Sequence, residues 1–244
     1  MSDNSRIALV TGGSGGIGRQ VAARLAADGM SVVVHYAGNP APAEEVAKSI
    51  VDGGGTAVAL QADVAEPQPV EDLFDAVEQQ FGGVDVVVHT AGIMLLSPLA
   101  ELDIDDFDRM QRINVRGTFL VSRQAARRLR PGGALINFAS SVRKLALPTY
   151  SAYAAGKASI EALTPILAKE MRGRDVTVNA VAPGPTATPL FLEGKPQQVV
   201  DQMAQAAPLE RLGQPGDPAE VVAFLAGPAR WVNGQTIFVN GGVI

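Results

Sequence analysis

Short runs of Val, Ile, Leu and Ala alternate with segments of helical periodicity along most of this 244-residue chain, and that alternation restricts the fold more than any other feature. RIALVT (6–11), SVVVHY (31–36), TAVALQ (56–61), VDVVVHTAG (84–92), GALINFAS (133–140) and VTVNAVAPG (176–184) are rich in β-formers and apolar at successive positions. A strand covered on one face alternates apolar and polar, whereas these runs suit strands covered on both. Between them, 18–29, 42–54, 69–82, 105–129 and 150–171 read as helices, the first ending at Gly29 in a C-cap position. Parallel neighbours need a crossover and a helix supplies it, so the β-α-β-α order predicts an α/β fold: a doubly wound parallel sheet with helices on both faces. No repeat, low-complexity tract or linker interrupts it, which predicts a single domain over 1–244. GPTATPLFLEGKPQQVV (184–200) breaks the pattern, with three prolines and two glycines beside Leu190, Phe191 and Leu192. It reads as a substrate lid around 185–207 with an apolar inner side.

Composition excludes several functions. With 47% hydrophobic and 18% charged residues the chain buries a core and is not disordered. It has no cysteine and only two histidines, His35 and His89, so neither a disulfide framework nor a metal site is expected. No secretory leader pattern is seen, and no stretch reaches the roughly 18 apolar residues of a membrane span. A cytoplasmic location is the expectation, with no membrane partner. A net charge of -5 argues against nucleic-acid binding, and RQAARRLR (123–130) reads as a solvated helix face.

TGGSGGIG (11–18) joins the first strand to the first helix. Gly12, Gly16 and Gly18 stand where the chain must turn tightly, bring backbone amides up to a pyrophosphate and pack helix against strand; Ser14 and Ile17 belong to the same contact surface. After a first strand and opening a first helix, the loop reads as a dinucleotide site rather than a tight turn without ligand. An acid at the end of the second strand would accept from the ribose hydroxyls of NAD and repel the extra phosphate of NADP. Here His35, Tyr36 and Asn39 stand instead. They leave room for a 2′-phosphate, with His35 as a donor to it, so NADP(H) is preferred and NAD(H) is the alternative. Arg19 is a second donor or points to solvent. In QADV (61–64), Asp63, followed by Val64, accepts from the adenine amino group or closes an Asx turn.

TYSAYAAGKAS (149–159) carries two of the chain's three tyrosines. Tyr153 and Lys157, four apart, share a helix face. A phenol has a reference pKa near 10, and a neighbouring ammonium favours phenolate, which would bring it toward working pH for moving the carbonyl proton. Tyr150, a turn earlier, is assigned to the wall of the substrate pocket.

In order and at fitting spacing, TGGSGGIG, QADV, the AG after the fourth strand, RINVRGTF, INFASS, YAAGKAS, NAVAPGPTATPL and WVNGQTIFVNGG resemble the short-chain dehydrogenase/reductase family over essentially the whole chain. The likeness is to bacterial carbonyl and 3-oxoacyl-(acyl-carrier-protein) reductases, which implies a Rossmann-type sheet. It also implies a tetrad of Asn114, a serine, Tyr153 and Lys157, with Lys157 holding the nicotinamide ribose and Asn114 anchoring a water that connects it to solvent. Ser140 is the favoured serine and Ser141 the alternative; either would hold the substrate carbonyl beside Tyr153. Ala91, Gly92, Pro183, Gly184, Thr186 and Thr188 are implied to line the cofactor. Two departures stand out: the family's usual NNAG is HTAG here, with His89 and Thr90, and the glycine loop carries Gly15 where NADP-preferring members often have Arg. The expected activity is reduction of a small-molecule ketone to a secondary alcohol, with hydride from NADP(H) and a proton from Tyr153. An NAD-dependent secondary alcohol or sugar dehydrogenase is the alternative, and a non-catalytic dinucleotide sensor a third reading. The resemblance favours a homotetramer in which the C-terminal segments (236–244), an apolar strand followed by two glycines, Val243 and Ile244, meet and the two long helices pack against their mates, Ala152, Ala155, Ala158 and Ala162 allowing close approach.

Overall fold

The computed structural model describes residues 5–244. Seven strands, β1 (Ile7–Thr11), β2 (Ser31–Tyr36), β3 (Ala57–Gln61), β4 (Val84–His89), β5 (Leu129–Phe138), β6 (Thr177–Pro183) and β7 (Thr236–Val239), form one parallel sheet in the order β3-β2-β1-β4-β5-β6-β7. The chain first winds outward from β1 to β3, then returns to β4 on the other side of β1. In such sheets ligands bind beyond the carboxyl ends of the strands at this reversal.

Helices α1 (Gly16–Ala27) and α2 (Ala41–Asp52) cover one face, and α3 (Pro67–Phe81) covers the other. The strands divide accordingly. Ala8 and Val10 of β1 pack with Val21, Leu25 and Val46 on the first face, while Ile7 and Leu9 pack with Leu73, Phe74 and Val77 on the second. This two-sided burial is what makes the strand sequences apolar at every position.

The helix expected over 105–129 is interrupted. Helix α4 (Ile104–Met110) passes into one turn of π-helix (Gln111–Arg116) before α5 (Gly117–Arg128) continues. The cause is local: Asn114, inside the π turn, accepts from the Ile93 amide through Oδ1 (2.8 Å) and donates to the Ile93 carbonyl through Nδ2 (2.8 Å). A π turn widens the helix by one residue and reorients a side chain, a device common at functional sites. A short α6 (Val142–Leu145) precedes α7 (Ser151–Glu170), which covers the second face beside α5.

The segment expected to be an irregular lid holds two helices, α8 (Pro189–Leu192), capped by the Thr188 side chain, and α9 (Gln197–Ala206). Helix α10 (Gly216–Ala226) then packs with α1 on the first face. The last strand ends at Val239, and Gly241 and Gly242 turn the chain beyond it with φ of 65° and 86°. In the basic run, Arg128 pairs with Asp75 and Glu78 of α3. Among the described residues no helix is long and apolar enough to cross a membrane, and no cluster of three or more His, Cys, Asp or Glu has metal-binding geometry. Several large apolar side chains face solvent, Phe224, Ile166 and Trp231 among them, Trp231 being 99% exposed.

Candidate active site

A cavity of about 420 Å³ opens where the chain reverses between β1 and β4. It gathers residues from six separate stretches: Gly12, Ser14, Gly16, Ile17 and Gly18; Ala91 and Gly92; Ser140; Tyr153 and Lys157; Pro183, Gly184, Thr186 and Thr188; and Leu190, Phe191 and Met203 from α8 and α9. The glycines are required here by space. A Cβ on Gly12, which has φ of 68°, would lie 2.8 Å from the Ala91 amide nitrogen, and one on Gly18 would lie 2.2 Å from the Gly12 carbonyl oxygen. Over Gly15, by contrast, there is open space, and α1 begins there with no side-chain cap. The first amides of α1 are thus left to a ligand, and the positive end of the helix favours an anionic one. A pyrophosphate fits this donor set.

At the other end of the cavity, Tyr153 stands with Ser140, whose hydroxyl draws the phenol pKa down. Burial opposes this and prevails, holding the phenol at about 12. The expectation of a phenol lowered by its lysine neighbour is therefore corrected: the Lys157 ammonium lies 5.8 Å from the Tyr153 ring centroid and donates to the Phe138 carbonyl at 2.7 Å. Burial also lowers Lys157, to about 8. Ser141, the alternative serine, is fully buried and turned away; its hydroxyl donates to the Ala182 carbonyl and accepts from Asn240 Nδ2, both at 3.1 Å. Asn114 lies behind Gly92, where a Cβ would sit 3.0 Å from Asn114 Oδ1 and 3.8 Å from Lys157 Nζ. Its amide accepts from and donates to the Ile93 backbone, so the side chain positions the β4–α4 connection.

A family model described as "Enoyl-(Acyl carrier protein) reductase" matches residues 12–244. A "Short-chain type dehydrogenase/reductase" of Picea abies is 45% identical over 98% of this chain and 92% of its own length. The chain belongs to the short-chain dehydrogenase/reductase family. It is an oxidoreductase on that ground. An Arabidopsis thaliana "NADPH-dependent aldehyde reductase-like protein, chloroplastic" is 42% identical over 98% of this chain and 94% of its own. Among solved structures, a Burkholderia cenocepacia short-chain dehydrogenase in complex with NADP superposes with a TM-score of 0.93 at 36% identity, covering 100% of this chain and 99% of that one.

Both histidines of this short-chain dehydrogenase/reductase are buried, and the structure shows what each does. His35 is 1% exposed; its Nδ1 accepts from the Gly12 amide (3.2 Å) and its Nε2–H donates to the Ala62 carbonyl (3.0 Å). Both ring nitrogens are used inside the protein, so the expectation that His35 donates to a 2′-phosphate is corrected: it braces the glycine loop. Desolvation lowers its pKa to about 4, which keeps it neutral. Tyr36, on the opposite strand face, is the half-buried side chain at the end of β2. Asn39 accepts from the Ala41 amide at the start of α2 (3.1 Å), and Arg19 pairs with Glu45 (2.6 Å) on the surface. Asp63 closes the Asx turn, accepting from the Ala65 amide (2.9 Å), with Val64 buried beside it.

The HTAG departure keeps β4 tied to β1 by other means. His89 Nδ1 lies 2.7 Å from the Thr11 hydroxyl, and the Thr90 hydroxyl donates to the Thr11 carbonyl (2.6 Å). Burial pushes His89 down to about 3. Two features of the site had no reading in the sequence. Phe138 contributes a carbonyl, which leaves no trace in residue type. Ile93 likewise acts through its backbone. Met203, inside the expected lid, was not singled out; it lies on a ten-residue helix whose periodicity was available to find it.

Proposed function

We propose that this protein is an NADP(H)-dependent reductase that converts an apolar ketone into a secondary alcohol. One observation carries the reading: a phenol held protonated at neutral pH, beside a serine hydroxyl, at the wall of a cavity whose other end is a glycine-lined helix N-terminus. When bound, the dinucleotide supplies the hydride to the carbonyl carbon. Ser140 donates to the carbonyl oxygen and holds it beside Tyr153, which gives up its phenolic proton to that oxygen as charge develops there. Lys157, a cation in a dry site with its pKa near 8, exchanges protons readily at neutral pH. It also offers donors to the nicotinamide ribose. Leu190, Phe191 and Met203 exclude water as a lid, and they favour an apolar substrate.

Reduction uses Tyr153 as an acid, and burial, which raises its pKa, fits that role. NADP(H) is favoured over NAD(H) because no carboxylate ends β2, and because similar proteins are named as NADPH-dependent or were solved with NADP. We read the assembly as a homotetramer, supported by the exposed Ala155, Ala162 and Ile166 along α7 and by exposed Phe224 and Trp231; Ala152, expected on that face, is buried within its own subunit. The test is purified protein with NADPH or NADH and a panel of ketones, followed by nicotinamide absorbance with product analysis. Faster use of NADPH and formation of secondary alcohol are expected. Equal or better kcat/KM with NADH overturns the cofactor assignment, and absence of alcohol product overturns the reaction.

A further inference from the structure

Asn240, Gly241 and Gly242 take no part in the chemistry above, yet both ends of the lid rest on them. The chain enters the lid at Gly184, after β6, and returns through Ala207, Pro208 and Leu209, after α9. At the entering end the Gly184 amide donates to the Val239 carbonyl (2.9 Å), and the backbone passes so close that a Cβ on Gly184 would lie 2.7 Å from the Asn240 Cβ. At the returning end the Leu209 amide donates to the Gly241 carbonyl (3.4 Å). There Ala207 and Pro208 pack on the two glycines, where added Cβ atoms would stand 3.3 and 3.2 Å from their side chains. The two ends also pair with each other: the Gly213 amide donates to the Pro185 carbonyl (2.9 Å) and the Ala187 amide to the Gly213 carbonyl (2.8 Å). One short turn therefore supports the lid at its base. Because α9 ends at Ala206, the seat of Ala207 sets where Met203 stands over the cavity.

The Asn240 side chain fixes this turn with both of its polar atoms. Its Oδ1 accepts from the Gly242 amide (3.0 Å), and its Nδ2 donates to the Ser141 hydroxyl (3.1 Å), 99 positions away in the chain. Ser141 is fully buried and held from two further directions, its amide donating to the Pro183 carbonyl (2.9 Å) and its hydroxyl to the Ala182 carbonyl (3.1 Å). The residue before it is Ser140. A single amide side chain thus links the shelf that carries Ser140 to the base of the lid.

We propose that Asn240 is a positioning residue: it keeps the base of the lid in register with Ser140, so that Leu190, Phe191 and Met203 close over a substrate whose carbonyl Ser140 holds. The inference rests on the reading of this region as the lid of a ketone reductase. Two variants separate the tether from the turn. Asn240→Asp keeps an oxygen for the Gly242 amide but has no proton for Ser141, whose own hydroxyl proton goes to Ala182, and Asn240→Ala has neither group. Both should raise the KM for acetophenone by about fivefold to tenfold, the worth of one neutral hydrogen bond, with kcat within about twofold. Amide hydrogen exchange of the NADPH-loaded protein should quicken in α8 and α9 and stay as in the wild type in α5 and the central strands. Lid exchange and KM of Asn240→Asp equal to the wild type's overturn the proposal, because the turn alone would then suffice. Exchange that quickens equally throughout the sheet, or a fall in kcat at constant KM, overturns it as well. The exchange arm needs no turnover, so the two readings fail separately. A quickened lid in a protein that reduces no ketone supports the tether and sinks the reductase, whereas turnover under a lid that neither variant loosens does the reverse.

Discussion

Tyr153 is the residue on which the chemistry depends most directly. Tyr153→Phe should lower kcat by at least about a hundredfold, as loss of a general acid does, while leaving NADPH affinity within a few fold. Ser140→Ala should cost about a hundredfold or more in kcat, since it removes a donor aimed at the carbonyl oxygen, and Ser141→Ala should act on stability instead. Lys157 is cationic below its pKa of about 8, so kcat/KM should decline as pH rises through that value. An activity that keeps rising to pH 10 would remove the lysine from the mechanism. The cofactor preference is tested at Tyr36, whose side chain, unlike that of His35, emerges at the end of β2: Tyr36→Asp should shift the kcat/KM ratio toward NADH by about tenfold or more. His35→Asp should instead lower Tm without switching the cofactor, because it places an unpaired carboxylate where the Gly12 amide and Ala62 carbonyl now meet a ring. At this scale the sequence was legible where function needs a particular side chain, as with the glycines, Tyr153 and Lys157. It was not legible where the answer depended on direction: nothing in HY reveals which of two adjacent residues faces inward, nor in SS which hydroxyl faces the cavity.

At the scale of elements, periodicity located the first six strands and the helices between them to within a few residues. What it could not show was the π turn at Gln111–Arg116, because the apolar rhythm resumes in α5 and a single inserted residue shifts the phase only once. Asn114 was the visible symptom, a residue poorly suited to a helix interior whose partner, the Ile93 backbone, is silent in the sequence. Asn114→Ala leaves both Ile93 groups unpaired and should destabilise the fold by about 2 kcal/mol or more, read as a fall in Tm, with activity reduced through displacement of Gly92 and Lys157. Helix α10 escaped for a different reason. It is apolar nearly all round, buried against α1 and β5, and so lacks the stripe by which surface helices are recognised.

The whole molecule contains only two histidines, and both are buried in the neutral form. Their folded pKa values of about 4 and about 3 lie below the ordinary 6.5, so the unfolded chain binds more protons throughout that interval. Stability is therefore lost as pH falls from about 6.5 toward 4, and Tm should drop over that range. His89→Asn should flatten part of the slope; an unchanged slope would show that carboxylates alone govern the acid response. Static light scattering tests assembly: a mass of four subunits is expected, and a fully active monomer at all concentrations would refute it. The single tryptophan, standing almost wholly in water, has a further consequence. In an isolated folded subunit its emission is that of a solvated indole, so melting such a subunit hardly changes its colour, whereas melting an assembly that covers Trp231 shifts the emission to the red. Conversely, any blue shift on raising protein concentration reports that another surface has come to rest on Trp231, which makes this chain a dye for its own association.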